Sequence, residues 1–160
     1  MPTGPAARIT DPTVHGSPLV PGPPSPNVLI GGLPAWLGMT AAAAAALAAT
    51  VAKEAKNVAE KTATATAAAG TPAAAAATAD MLDAQAQMAK NVCAAMTGGG
   101  TLSINLCPLF PLPHVQGVVI MPSQTVLINN WGACRIGDTI QEVTAVNAIA
   151  MGLPTVIIGG

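Results

Sequence analysis

One hundred and sixty residues with a formal charge of −1, 8% charged residues, 2% aromatic residues and no Tyr allow one modest domain, but withhold the bulky side chains that usually fill a core. The six Lys and Arg are scattered, so the chain has no electrostatic footprint for nucleic acid. Gly (16) and Pro (15) concentrate in the two flanks while Ala fills the middle, which gives the chain two physical regimes.

The chain opens Met1-Pro2-Thr3-Gly4-Pro5, without the basic and then apolar run of a signal peptide, and assembly in the cytosol is expected. An odd count of three Cys fits a reducing compartment and favours metal binding or burial over a disulfide framework. Ala6-Ala7-Arg8-Ile9-Thr10-Asp11 follows and returns as Ala133-Cys134-Arg135-Ile136-Gly137-Asp138, aligning Arg8 with Arg135 and Asp11 with Asp138. Both Arg and Asp pairs are expected to make turn and inter-repeat hydrogen bonds. Residues 16–26 (GSPLVPGPPSP) hold five Pro and two Gly, which exclude a helix or a central strand and indicate a rigid loop or edge strand.

Residues 26–32 (PNVLIGG) begin a phrase that recurs at 124–130 (QTVLINN) and 154–160 (PTVIIGG). β-Branched and aliphatic residues make each copy a strand, and Gly-Gly or Asn-Asn, which tolerate positive φ, end it in a turn. Three copies mark a repeat protein. After the first copy, 31–36 (GGLPAW) parallels 129–134 (NNWGAC), which puts Trp36, Cys134 and Ala7 in one register.

Residues 39–97 break the pattern. They are Ala-rich, carry regular charges and have one strong breaker at Gly70-Thr71-Pro72, so two helices of about 25–30 residues are expected. Leu47, Val51 and Val58 on the first and Met81, Met88 and Val92 on the second recur at helical spacing and form a narrow seam. Residues 35–52 are long and uncharged enough to raise a membrane span, but Ala is nearly neutral for insertion and Asp80, Asp83 and Lys90 interrupt the second arm. A soluble antiparallel hairpin with no stable membrane span is expected. Cys93 reads as a small packing residue within it. Leu37-Gly38 and Gly98-Gly99-Gly100 flank the block and mark it as an insertion at a loop, whose excision is expected to leave a folded remainder.

The second flank, 98–160, supplies Cys107 and His114, seven apart across a proline-rich turn. With His15 they are the candidate metal ligands, because the chain has just two His. His and Cys brought together from separate hairpins would cross-link a fold short of apolar surface. Spacing alone leaves locally hydrogen-bonded histidines as the alternative. Counting from Arg8 to His15, and equally far from Arg135, reaches Glu142. Glu142, Cys134 or a water is the candidate fourth ligand, although Cys134 has the register of a packing residue. No catalytic constellation stands out, and an enzyme is not expected.

Pro5-Ala6-Ala7-Arg8, Asp11, His15, Cys107, His114 and the three strand phrases together resemble the PAAR-repeat proteins of type VI secretion and related contractile injection systems, over roughly residues 1–38 and 101–160. The resemblance implies a mainly β fold: a small pseudo-threefold β-hairpin cone in two parts, 1–38 and 98–160, with the helical hairpin of 39–97 inserted. It implies a Zn2+ ion near the apex, held by His15, Cys107 and His114. It also implies a structural role in sharpening a trimeric, VgrG-like spike, one chain per trimer, with delivery outside the cell at the tip of the apparatus. Val28, Ile30, Val126, Ile128, Val156 and Ile158 are the expected docking residues. The alternative function is an effector or adaptor whose hairpin holds cargo or meets a target membrane.

Overall fold

The computed structural model describes residues 2–22, 24–98, 103–108 and 114–160. In chain order the elements are β1 (Gly4–Ala6), β2 (Pro21–Gly22), β3 (Leu29–Ile30), β4 (Leu33–Pro34), β5 (Leu37–Gly38), α1 (Ala41–Ala68) and α2 (Ala74–Thr97). After these come β6 (Ile104–Cys107), β7 (Val115–Val119), β8 (Leu127–Ile128), β9 (Trp131–Ala133), β10 (Thr139–Glu142), β11 (Val146–Ala148) and β12 (Leu153–Ile158). Content is mixed α and β rather than clearly mainly β: two long helices beside short antiparallel strands in small sheets. The largest sheet has the order β11-β10-β7-β6-β2. Proline-rich β2 takes its edge, where a missing N–H costs no ladder bond.

The recurring phrase builds the same turn twice. Between β3 and β4 both Gly31 (φ 59°) and Gly32 (φ 83°) are left-handed, and between β8 and β9 so are Asn129 (53°) and Asn130 (66°). Two central residues at positive φ match the twist of a two-residue hairpin. The third copy, in β12, pairs with β1, setting Gly4 opposite Ile158 and Pro5 opposite Ile157. Arg135 ties this third unit together, its Nη1 donating to the carbonyls of Pro2 at 2.8 Å and Gly160 at 2.9 Å.

Three segments that adjoin the strands then meet in a closed ring of backbone hydrogen bonds. Ala7 N–H donates to the Cys134 carbonyl (2.8 Å), Cys134 N–H to Trp36 (3.1 Å), and Trp36 N–H to Ala7 (3.0 Å). These are the three residues that the repeat register aligns, and all are buried. Leu19, Val119, Ile140 and Ile149 pack with them in one apolar layer, while Ala6, Ala35, Ala133, Ile30 and Ile158 form a second. With few large side chains, small ones stacked in layers supply the close packing a core needs.

The pleat divides the expected docking set. Side chains alternate across a strand, and Ile30 and Ile158 point into the second layer, with Val28 and Ile128 packed against it. Val126 and Val156 stay exposed as expected, and the residues next to them face out further: Leu29, Leu127 and Ile157 are 60%, 57% and 61% exposed.

Arg8 and Arg135 each open a tight turn. The Asp11 carboxylate accepts from Arg8 N–H (2.8 Å) and that of Asp138 from Arg135 N–H (2.9 Å), and each guanidinium returns to the same carboxylate at 2.9–3.0 Å. In the unit that begins at Trp36 the equivalent place is taken by Leu37-Gly38-Met39-Thr40. There Met39 N–H donates to the Val119 carbonyl (2.8 Å), and Thr40 Oγ1 accepts from Ala43 N–H (3.2 Å), capping α1. The helical insertion thus grows out of a repeat turn.

The hairpin is anchored on the strands. Met39, Leu47, Val92 and Met96 are fully buried in one cluster with Val118 and Val143, flanked by Ile104, Ile120 and Trp131. Between the helices, buried Glu54 accepts from Asn91 Nδ2 at 2.9 Å, and Gln87 donates to Asn91 at 2.7 Å. Further out a cleft between hairpin and strands is lined by Val58, Leu82, Met88, Val115 and Val143. None of the described helices is long and apolar enough to cross a membrane.

Candidate metal centre

The fold brings His15, Cys107, His114 and Glu142 to one point, with one potential ligand atom from each lying within 4.8 Å of all the others. His15 sits on a loop closed by Thr13 N–H to the Ser17 carbonyl (2.9 Å) and Gly16 N–H to that of Thr13 (2.9 Å). Cys107 ends β6 and His114 precedes β7, where antiparallel pairing of Cys107 with Val115 sets the two ligands side by side. Val115 takes φ 60°, a conformation that a β-branched residue rarely adopts, next to a ligand. Glu142 ends β10 opposite Gly117 of β7.

Gly117 makes room for that carboxylate. A Cβ there would stand 3.0 Å from Glu142 Cγ, 2.8 Å from Asn105 Oδ1 and 2.7 Å from Ile140 Cγ2. A lone Gly within the strand run Val115-Gln116-Gly117-Val118 was the sequence signal for such a close approach.

Distances inside the cluster are short. Cys107 Sγ lies 3.6 Å from His15 Nδ1 and 3.7 Å from His114 Nδ1, and the two Nδ1 atoms are 3.3 Å apart. Glu142 Oε2 is 3.3 Å from His15 Nδ1 and 2.6 Å from His114 Nδ1. Even so, Oε2 is buried and, among the described residues, makes no hydrogen bond of acceptable geometry. Its partner oxygen, Oε1, accepts from Asn147 Nδ2 at 2.7 Å. A carboxylate oxygen cannot be left buried and unsatisfied without a large cost. Converging on the same point as two imidazole nitrogens and a sulfur, it fits a cation: the cluster can hold a metal ion.

The three sequence candidates therefore meet, and of the fourth-ligand candidates Glu142 joins them. Cys134 lies in the apolar layer with Trp36 and Ile140. Burial holds its thiol well above the ordinary range, which opposes the thiolate a metal needs. Cys93 is half-buried on α2, its thiol also pushed up by burial, and its carbonyl accepts from Gln116 Nε2 (3.3 Å). Asn147, which touches Glu142, went unseen in the sequence because it belongs to no repeated phrase.

These features define a mixed α and β protein of small antiparallel sheets, with a four-residue cluster that could hold a metal ion and a helical hairpin inserted at a repeat turn. No family model, curated protein or solved structure matches the chain.

Proposed function

We propose that this chain is a structural spike-tip protein of the PAAR-repeat kind: a zinc-clamped β cone whose blunt face seats on a threefold-symmetric spike. The observation that carries this reading is threefold equivalence within one chain. Around the Ala7, Trp36 and Cys134 ring, Leu29, Leu127 and Ile157 occupy the same position of three strand phrases and are exposed to nearly equal extents. Three matched apolar side chains suit a partner that repeats its own surface three times, as a trimer end does.

Zinc is supported by the spacing of the ligand atoms. With bonds of about 2.0–2.1 Å to N or O and 2.3 Å to S, tetrahedral zinc has N···N and N···O edges of about 3.3–3.4 Å and N···S edges of about 3.6 Å. Four of the five ligand-atom separations given above, 3.3, 3.3, 3.6 and 3.7 Å, fall near those edges, while His114 Nδ1 and Glu142 Oε2, at 2.6 Å, stand closer than an edge. One thiolate and one carboxylate beside two neutral imidazoles also balance a dication. Four protein ligands close the sphere, as in structural rather than catalytic sites. The ligands come from the His15 loop, the β6–β7 pair and β10, so the ion cross-links segments distant in sequence where apolar burial is thin.

Mixing the protein with candidate spike trimers and measuring mass by light scattering tests the reading. One chain per trimer is expected, with weak dependence on salt because the three strand phrases contain no charged residue. A complex of three chains per trimer, or one dispersed by moderate salt, would overturn it.

A further inference from the structure

We propose that Asn147 is the positioning residue of the metal centre, one side chain that sets two ligand-bearing segments at once. It is buried, and its orientation leaves no ambiguity of amide flip. Oδ1 accepts from the backbone N–H of His15 (3.2 Å) and of Ala148 (2.8 Å), and only oxygen can accept from two donors. Nδ2 must then face Glu142, and it donates to Oε1 at 2.7 Å.

The geometric result is that Oε1 is occupied and Oε2 is turned to the cluster. A carboxylate has two equivalent oxygens and a free torsion, so without that bond either oxygen, or neither, can face the ligands. The same Asn oxygen holds the His15 loop by its backbone across 132 positions of sequence. Glu142 and His15 are thereby placed relative to each other before any ion arrives. Outer partners of this kind commonly set metal affinity by tenfold to a hundredfold. Among the described residues, the hydrogen bonds of Asn147 reach the cluster through Glu142 and the His15 backbone.

The proposal rests on the metal-centre part of the reading above and is independent of any spike partner. The informative variant is Asn147→Asp, which keeps an oxygen for both backbone N–H groups but replaces the N–H donor facing Glu142 by an anion. Zn2+ affinity is measured by competition with a chelating dye on the full chain, and Co2+ loading is followed by its visible ligand-field bands. Asn147→Asp is expected to weaken Zn2+ binding by about tenfold to a hundredfold and to alter the Co2+ spectrum. Thermal melting of the metal-free protein should fall much less than that of the metal-loaded protein.

Glu142→Gln provides a second measurement. It keeps the shape of the side chain and removes the anionic ligand, and is expected to lose at least as much affinity. In that background Asn147→Asp should add little. Wild-type protein that takes up neither ion would remove the centre itself, and this proposal with it. Wild-type binding with an Asn147→Asp affinity within twofold would overturn the positioning role alone. So would equal destabilisation of the metal-free and metal-loaded forms, which marks a purely structural residue.

Discussion

Excising the helical hairpin is the sharpest test of how the two regimes of the chain depend on each other. Replacing residues 39–97 by a short Gly-Ser linker closes a loop at small entropic cost, and on that ground alone the rest should survive. The packing says otherwise. Val118 and Val143 are fully buried in the cluster that Met39, Leu47, Val92 and Met96 complete. Uncovering the two valines forfeits about 1.5–3 kcal/mol each, hence roughly 3–6 kcal/mol before Ile104, Ile120 and Trp131 are counted. Set against the 5–15 kcal/mol or so that holds an ordinary domain together, that is a large part of the whole.

A shorter cut makes the control. Removing residues 59–81 and rejoining the helices with a tight turn keeps the buried cluster and the Glu54–Asn91 bond. It loses the exposed Lys61–Asp80 pair (3.4 Å), which contributes about 0–1 kcal/mol. Urea unfolding and size exclusion of both variants are the assay. Full excision is expected to aggregate or to shift the midpoint far down, and the short cut to leave it nearly in place. A monodisperse full excision with the wild-type midpoint would refute the reasoning and make the hairpin a pure appendage.

Three further outcomes are expected. His114→Ala should lower metal content by elemental analysis and lower the melting temperature of protein purified with zinc; unchanged content would remove His114 from the centre. Ile157→Asp should abolish co-purification with a spike trimer while leaving metal content intact, whereas the same substitution at buried Ile158 should damage the fold as well; tolerance at position 157 would mean that this face does not dock. Burial raises the Asp138 carboxyl above its ordinary value against the pull of Arg135, so the folded state holds this proton more tightly and the group's contribution to stability is lost as pH rises from the ordinary carboxyl value through the raised one. In metal-free protein the stability of wild type relative to Asp138→Asn should fall across that window and then level off; an advantage that grows with pH would reverse the sign.

Repeats were the most legible part of the chain. The paired Gly or Asn residues exposed the turns, because positive φ restricts which residues fit. The Arg8–Asp11 and Arg135–Asp138 correspondence carried through to Glu142, which an isolated carboxylate among polar neighbours would not have suggested. The choice of strand face was legible only in part: Val126 and Val156 are exposed, but Ile30 and Ile158 are buried. In Val28-Leu29-Ile30 all three residues are apolar, so alternation gives no signal, and only the packed second layer decides which way each points. Asn147 and the anchoring of the hairpin were hidden for a related reason: both depend on contacts between segments far apart in sequence.

The ring at the centre explains how a chain with two Trp and one Phe fills its axis. Ala7, Trp36 and Cys134 occupy equivalent places, yet one is the largest side chain and two are among the smallest. Three large residues cannot converge on one line and three small ones would leave a void, so one unit supplies the volume for all three. If volume around the axis is what matters, the bulk should be movable. Trp36→Cys alone leaves a cavity costing about 3–5 kcal/mol, by comparison with Trp truncations, and Cys134→Trp alone overpacks the layer by about 1–3 kcal/mol or more. Combined, they restore total volume, and the double variant should be more stable than the sum of the two losses allows, with a coupling of about 0.5–3 kcal/mol in a double-mutant cycle. Urea midpoints of the four proteins measure it. Strict additivity would show that Trp36 is required where it stands, by its own neighbours Leu19, Val119 and Ile149, and that the three units are not interchangeable at the axis.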